Sequence, residues 1–399
     1  MANLVARLFN SGNLQIPGTF SEITANTLLA NLVYYTTGSI TTQGQFDEYT
    51  LAPLTGGLAQ RFMPNGGIQV AGQLDEYTIN PNSPYVYNIS YFMVGGGGAG
   101  GSKYGGGGGA GGITTGSITG LIHSLTSYTV TVGNGGSTNP ASPYTGGNGG
   151  NSTLVGPGIT PSTHIAIGGG GGGGGVCSGA GNNGASGGSG GGASTKFTGG
   201  TNCGGGATQP SSPSGGSGNA GSVGYIGGPT TLGYSAGGGG GAGGAGNTSS
   251  PGGAVGPLGG RGGYGVAYPQ FAPYGQTVTP ATYPGYIGNN FFAGGGGGSS
   301  SPNTTPGGHA AGGAGGGGHG SNQYVGGSCG AVAGVANTGG GGGGGISVAP
   351  GNAGAAGGSG IVILYYTAPA QQGNGGTVIG GPAGPVFYHV FTGSGTFNA

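Results

Sequence analysis

Apolar and polar residues alternate along this chain in short bursts, and nearly every burst is cut off by glycine. Tyr85-Val-Tyr-Asn-Ile-Ser-Tyr-Phe-Met-Val94 runs straight into Gly95 to Gly98. The stretches 113–122 and 127–132 follow as strands, rich in β-branched residues, and Asn134-Gly135-Gly136 closes the second. His164-Ile-Ala-Ile167 feeds the longest glycine run, Gly168 to Gly175, and Gly360-Ile-Val-Ile-Leu-Tyr-Tyr-Thr367 supplies another strong strand. The pattern predicts a mainly β protein with no substantial α-helix.

The first ninety residues add an internal repeat. Residues 7–24 align without gaps on residues 61–78, and a third copy ends Ile40-Thr-Thr-Gln-Gly-Gln-Phe-Asp-Glu-Tyr-Thr50. Each copy reads as a strand, a turn or bulge at glycine (Gly18, Gly44, Gly72) and a second short strand. Leu14/Ile16, Ile40/Thr42 and Ile68/Val70 alternate with polar neighbours, and Asn65-Gly66 is a tight-turn signal. Copies of about 27 residues can stack into a small β unit that no single copy could sustain.

Composition changes the picture of what lies between the strands. Of 399 residues 119 are glycine and 3% are charged. Collagen requires glycine at every third position, a register this chain does not keep. Disordered tracts carry more charge and fewer aromatics than the 8% found here. A glycine run cannot be a stable helix on propensity grounds. It can be an extended helix of three residues per turn, rising about 3.1 Å per residue, so that eight glycines span about 25 Å. Several such segments could pack side by side, bonding laterally through their N–H and C=O groups. The runs at Gly237–Gly241, Gly294–Gly298, Gly315–Gly318 and Gly339–Gly345 would extend such a lattice. Ala99, Ala110, Ala242, Ala245 and Ala314 interrupt them, as expected where one face meets solvent or a strand. The competing reading is flexible linker, which is usually serine-rich and lacks flanking strands.

Charge narrows the function. Every acid (Glu22, Asp47, Glu48, Asp75, Glu76) lies in the first eighty residues, and beyond them only Lys103, Lys196 and Arg261 are fixed cations. A region so nearly neutral argues against nucleic-acid binding. No apolar run is long enough to span a bilayer, and Arg7 and Asn10 interrupt the core a signal peptide would need. Cys177, Cys203 and Cys329 are an odd number without close pairing, indicating neither a zinc site nor a disulfide framework. His309 and His319 share one glycine tract and could ligate a metal, but no third ligand lies near them in the sequence pattern. The expectation is therefore no metal and no cofactor. Gly184-Ala-Ser-Gly-Gly188 and Gly326-Gly-Ser-Cys-Gly330 match a nucleophile-elbow pattern, yet no acid follows either one. No catalytic residue is assigned.

Two groups of residues invite closer reading. Asp47-Glu48 and Asp75-Glu76 resemble paired catalytic carboxylates, but adjacent residues on a strand point to opposite faces. Because the pairs recur as repeat signatures, attachment or structural use fits them better. The richest aromatic cluster is Tyr264, Tyr268, Phe271, Tyr274, Tyr283, Tyr286, Phe291 and Phe292, interleaved with proline. It reads either as a loop that covers the glycine lattice or, through Tyr264, Tyr268, Phe271, Tyr274, Tyr283 and Tyr286, as a contact surface for saccharide or a neighbouring subunit.

These motifs together resemble the glycine-rich virion proteins of tailed bacteriophages. The resemblance rests on Tyr91-Phe-Met-Val-Gly-Gly-Gly-Gly98, Ser127-Tyr-Thr-Val-Thr-Val-Gly-Asn-Gly-Gly136, Asn-Gly-Gly-Asn-Ser at 148–152, Ile165-Ala-Ile-Gly-Gly-Gly and the strand at 360–363. The N-terminal repeats are similar to those opening structural proteins of T4-like cyanophages. His389-Val-Phe-Thr-Gly-Ser-Gly-Thr-Phe397 resembles a lead-in strand that normally precedes such a unit, here displaced to the C-terminus.

The resemblance implies a tail, neck or head fibre or decoration component on the virion exterior, made in the host cytoplasm. It implies a homo-oligomer, with a trimer favoured, contacting other virion proteins through the N-terminal region. The alternative is a tail-tip adhesin binding a host surface saccharide or protein. Neither role involves an enzyme activity, nucleic acid or membrane insertion. An ice-binding or extracellular-matrix protein would call for a secretion signal. The expected organisation is an attachment domain at 1–84 formed by the β repeats and a glycine-rich β-sandwich body with packed polyglycine-II-like segments at 85–368. A linker and strand at 369–399 complete it.

Overall fold

In a computed structural model the chain forms two compact units, Met1–Val86 and Tyr87–Ala399. The structure describes residues 14–17, 23–24, 40–43, 49–50, 68–71, 77–78 and 86–399. Within the last range 123–126, 158, 160–163, 176–181, 196–202, 210–216, 225–232, 251–257, 272, 279–287, 302–308, 325–326, 348, 350–352, 369–370 and 382–383 are excepted.

In the first unit each repeat contributes one strand to each of two parallel sheets. The strands β1 (Leu14–Pro17), β3 (Ile40–Gln43) and β5 (Ile68–Ala71) pair in register, Leu14 opposite Ile40 and Ile40 opposite Ile68. The strands β2 (Ile23–Thr24), β4 (Tyr49–Thr50) and β6 (Tyr77–Thr78) do the same. Parallel pairing follows from repetition: equivalent residues of successive copies meet, as in a stacked repeat. Asp47, Glu48, Asp75, Glu76 and the Asn65-Gly66 turn lie outside the described residues.

The second unit is mainly β, and it opens with two antiparallel sheets. Strands β7 (Val86–Val94), β8 (Ile113–Ile122), β19 (Ile361–Thr367), β20 (Thr377–Gly381) and β21 (Gly384–Phe391) form a five-stranded sheet in the order β20-β21-β19-β7-β8. Strands β9 (Ser127–Thr131), β10 (Ser152–Val155), β11 (Ile165–Ala166) and β22 (Gly395–Asn398) form a second, ordered β11-β10-β9-β22. The 389–397 segment, expected as one lead-in strand, divides between β21, which lies against β19 with His389 opposite Leu364, and β22, which pairs with β9. Residues 377–398 thus supply three strands to the body. Two smaller sheets comprise β12 (Tyr234–Ser235), β16 (Ser300–Ser301), β17 (Asn322–Tyr324) and β18 (Gly327–Cys329), and β13 (Val266–Ala267), β14 (Gln276–Val278) and β15 (Gly288–Phe292).

Between the strands the glycine runs are ordered rods. Along 95–102 successive N–H groups point to three different neighbours in rotation. Gly95, Gly98 and Gly101 donate to the carbonyls of Gly112, Gly109 and Gly106; Gly96, Ala99 and Ser102 donate to Gly150, Gly147 and Tyr144; Gly97 and Gly100 donate to Gly358 and Ala355. A partner that returns every third residue is the signature of the three-residue-per-turn extended helix.

The rod at 105–112 shows the full lattice. Its N–H groups donate to 339–345, to 167–173 and to 237–240, again in rotation. Its carbonyls accept from Gly98 and Gly101, from Ser189 and Gly192, and from Gly296 and Ser299. Donation to three rods and acceptance from three others gives it six neighbours, a hexagonal arrangement. Glycine is required where the rods approach most closely. A Cβ on Gly107 would lie 2.1 Å from the Gly296 carbonyl oxygen, and one on Gly108 would lie 2.1 Å from that of Gly98. The turn joining 95–102 to 105–112 is made by Lys103 and Tyr104, both in the left-handed region (φ 56° and 62°).

The hydrogen-bond register gives the lattice two ends. Gly95, Gly112, Ile167 and Gly339 meet at one, where β7, β8, β11 and β19 pass directly into or out of rods. Gly101, Gly106, Gly173, Gly345 and Ser299 meet at the other, from which β16 continues. Among the alanines, Ala110 and Ala242 belong to the apolar cluster at the first end, Ala245 is exposed, and Ala99 and Ala314 are buried. No helix among the described residues is long and apolar enough to cross a membrane.

Candidate functional site

Each end of the lattice carries a group of side chains with distinct chemistry. At the sheet end, Phe92 and Val94 of β7, Ile113 of β8, Ile361 and Ile363 of β19, Val390 of β21 and Phe292 of β15 bury one another. They sit on the same side of their strands because alternate residues share a face. The aromatic loop closes over them. The Phe92 ring lies 4.5 Å from Tyr268, 4.6 Å from Phe271 and 5.0 Å from Phe292, centre to centre. Phe271 stands edge-on to Tyr365 at 5.5 Å and to Tyr388 at 6.4 Å, the latter two stacked on each other at 5.9 Å. Tilted and edge-on contacts at these spacings suit the charge distribution of aromatic rings.

The sequence-predicted contact residues therefore separate. Phe271 is only 3% exposed and belongs to the interior. Tyr268 and Tyr274 are partly buried against the cluster, and burial raises the Tyr268 hydroxyl pKa, with Tyr365 adding to it. Tyr264, at 41% exposed, reaches the surface, although its ring also covers Gly243 and Gly244. Tyr283 and Tyr286 lie outside the described residues. Covering the lattice is what the described part of this loop does. Tyr264 is its predicted contact residue that also presents a large face to solvent.

Beside this cluster a polar group is locked in place. His389 is fully buried, its Nδ1 2.9 Å from the Gly375 carbonyl and its Nε2 3.1 Å from the Tyr366 hydroxyl. That hydroxyl accepts hydrogen bonds from the N–H groups of Gln372 (2.8 Å) and Gly373 (3.0 Å). The tautomer that serves both partners donates from Nδ1–H to Gly375 and accepts at Nε2 from Tyr366. Burial pushes the imidazole pKa below its ordinary value, partly countered by the bond to Gly375. The network fixes the 371–376 turn to the sheet.

At the opposite end the fold does what the sequence spacing did not. Gly320 N–H donates to the Ala310 carbonyl (2.9 Å), setting residue 309 beside 319. Val332 N–H donates to the His319 carbonyl (3.0 Å), and β18 pairs with β17 so that Cys329 lies opposite Asn322. As a result the ligand atoms of His309, His319 and Cys329 all fall within 4.8 Å of one another. The two imidazoles lie 4.3 Å apart. Partial burial, and then the neighbouring His319, lower the His309 pKa. The third metal-capable side chain, absent from the histidine tract, is thus Cys329. The nearest signal in the sequence was the presence of two histidines and a cysteine on three successive glycine-flanked segments.

The same end carries Lys103 over the Tyr144 ring at 4.9 Å. Cys203 is a free, exposed thiol. Ser186, the serine of one nucleophile-elbow match, accepts a lattice hydrogen bond from Gly206 N–H (3.2 Å).

No curated protein and no solved structure matches the chain. A family model described as a glycine-rich domain matches residues 70–277, just over half of the sequence, and the chain belongs to that family.

Proposed function

We propose that this chain is a non-enzymatic structural protein of a tailed-phage virion, a tail, neck or head fibre or decoration component. In this reading the N-terminal repeat unit, including Asp47, Glu48, Asp75 and Glu76, attaches to other virion proteins. The glycine-rich body is displayed on the exterior, in a homo-oligomer for which a trimer is favoured.

The observation that carries the reading is the six-neighbour rod at 105–112. A lattice of this kind leaves no side chain free for chemistry inside it. It yields a stiff, nearly uncharged body, suited to mechanical display and poorly suited to gathering a charged substrate. The alternating strands and glycine runs that carry the phage resemblance are the segments that continue into one another as strand and rod.

A second reading, a tail-tip adhesin for host saccharide or protein, is favoured by one feature. Rod 168–175 ends, and both termini of the 182–195 hairpin lie, at the lattice end opposite the large sheets, where Gly175 and Thr195 N–H groups donate to the Lys103 and Tyr104 carbonyls. Gold labelling of the N-terminal unit on intact particles tests the proposal. Label at a fixed position on the virion surface is the expected result, and absence of the chain from purified particles would overturn it. Label at the distal tail tip, with adsorption lost on removing the body, would select the adhesin reading.

A further inference from the structure

We propose that His309, His319 and Cys329 form a three-ligand site for zinc or a similar borderline-soft divalent cation, with solvent completing the coordination. Two imidazoles and one thiolate are the donors such ions take, and three protein ligands with an open fourth position is a recognised coordination pattern. Among the described residues this is where three metal-capable side chains gather.

The spacing fits after a small closure. Bond lengths of about 2.0–2.3 Å in tetrahedral geometry put ligand atoms about 3.3–3.6 Å apart. The three atoms already lie within 4.8 Å of one another. Side-chain rotation covers the difference, because His309 and Cys329 are exposed and free to turn. The backbone beneath them needs no movement: the Gly320–Ala310 and Val332–His319 hydrogen bonds already hold the three segments adjacent.

One contact is compatible with the tautomer that a metal ligand needs. His319 Nδ1 lies 3.3 Å from the Gly320 carbonyl. When Nδ1–H donates there, Nε2 carries the lone pair. Metal-bound histidines commonly have their second nitrogen oriented in this way. The ion would tie three separate segments together at the lattice end opposite the apolar cluster around Phe92. It would also leave one coordination position facing outward for a further ligand.

Cobalt(II) titration of the tag-free, full-length, chelator-treated chain tests the site. The expected result is a thiolate-to-cobalt charge-transfer band that saturates at one equivalent and is displaced by zinc. Cys329→Ser should abolish the band. His309→Ala and His319→Ala should each weaken binding at least about tenfold, while Cys203→Ser should leave it unchanged. Circular dichroism of each variant establishes that it has folded. A second readout needs no variant: one equivalent of zinc should protect Cys329, and not Cys203, from alkylation in the native chain. Absence of a one-equivalent band, a band that follows Cys203 rather than Cys329, or unprotected Cys329 would each overturn the site.

Discussion

The rod at 105–112 and the cluster around Phe92 meet at Ala110, yet they solve the problem of burial in opposite ways. In the rod there are almost no side chains, and order comes from backbone bonds to six neighbours. Each such bond contributes about 0.5–1.5 kcal/mol net. Fixing each residue costs about 1–2 kcal/mol, and glycine stands at the costly end. The two are close to balanced, so the lattice on its own has little surplus. In the cluster the driving force is removal of apolar area from water, about 1.5–3 kcal/mol for each large side chain. The comparison explains the architecture. The lattice supplies shape and stiffness, and the apolar end, with its aromatic cover, supplies the stabilisation that keeps the rods assembled.

If that division is right, the two regions should tolerate opposite substitutions. The largest effect is expected from adding a side chain to the lattice. Gly107→Val places atoms about 2.1 Å from a backbone carbonyl that cannot move without its own rod. It should cost about 3 kcal/mol or more, enough to give insoluble or molten protein. Gly393→Ala, where nothing lies within 4 Å, should change the urea midpoint by no more than about 0.5 kcal/mol equivalent. Equal effects at the two glycines would remove the lattice argument.

Next in size is the converse change, removal of a side chain from the cluster. Phe92→Ala should destabilise by about 3–5 kcal/mol in urea unfolding, since the rings of Tyr268, Phe271 and Phe292 lose their partner at once. A loss below about 1 kcal/mol would mean that the lattice sustains itself.

A smaller effect is expected at the Tyr366–His389 network. Tyr366→Phe leaves two backbone N–H groups without their acceptor and should cost about 1–3 kcal/mol. The same network sets a pH dependence. The folded pKa of His389 lies below its ordinary 6.5, so the unfolded chain binds the proton more readily. Stability is then complete above about pH 6.5 and declines as pH falls from there through the folded value. Thermal melts at pH 7.5 and 5.0 should differ in that direction, and a flat profile would show that His389 is not held neutral.

The smallest effect is expected at the edge of both regions. Tyr264→Ala should cost about 0.5–1 kcal/mol, because its ring, which covers Gly243 and Gly244, is already 41% exposed. Retained fold with lost adsorption of assembled particles would make Tyr264 a contact residue as well as cover.

The strands were legible because their signal is local. Val86–Val94, Ile113–Ile122 and Ile361–Thr367 fall within a residue of the apolar and β-branched stretches that predict them. Rods were legible as a possibility, since glycine runs flanked by strands have few ordered options. The partners of 389–397 and the role of Phe271 were not legible. Both depend on which distant strand reaches the same sheet end, and no periodicity in the sequence encodes that.

The sequence by itself determined that this chain is mainly β, that its acids are confined to the N-terminal repeats, and that its glycine segments could pack only through their backbones. Those properties are local: alternation, charge count and the absence of a Cβ are readable at each position. Only the tertiary structure decided which rod lies beside which, which aromatic rings are cover rather than surface, and that His309, His319 and Cys329 converge. A glycine rod offers identical bonding groups at every residue, so its neighbours are chosen by the strands at its ends and by the register they impose.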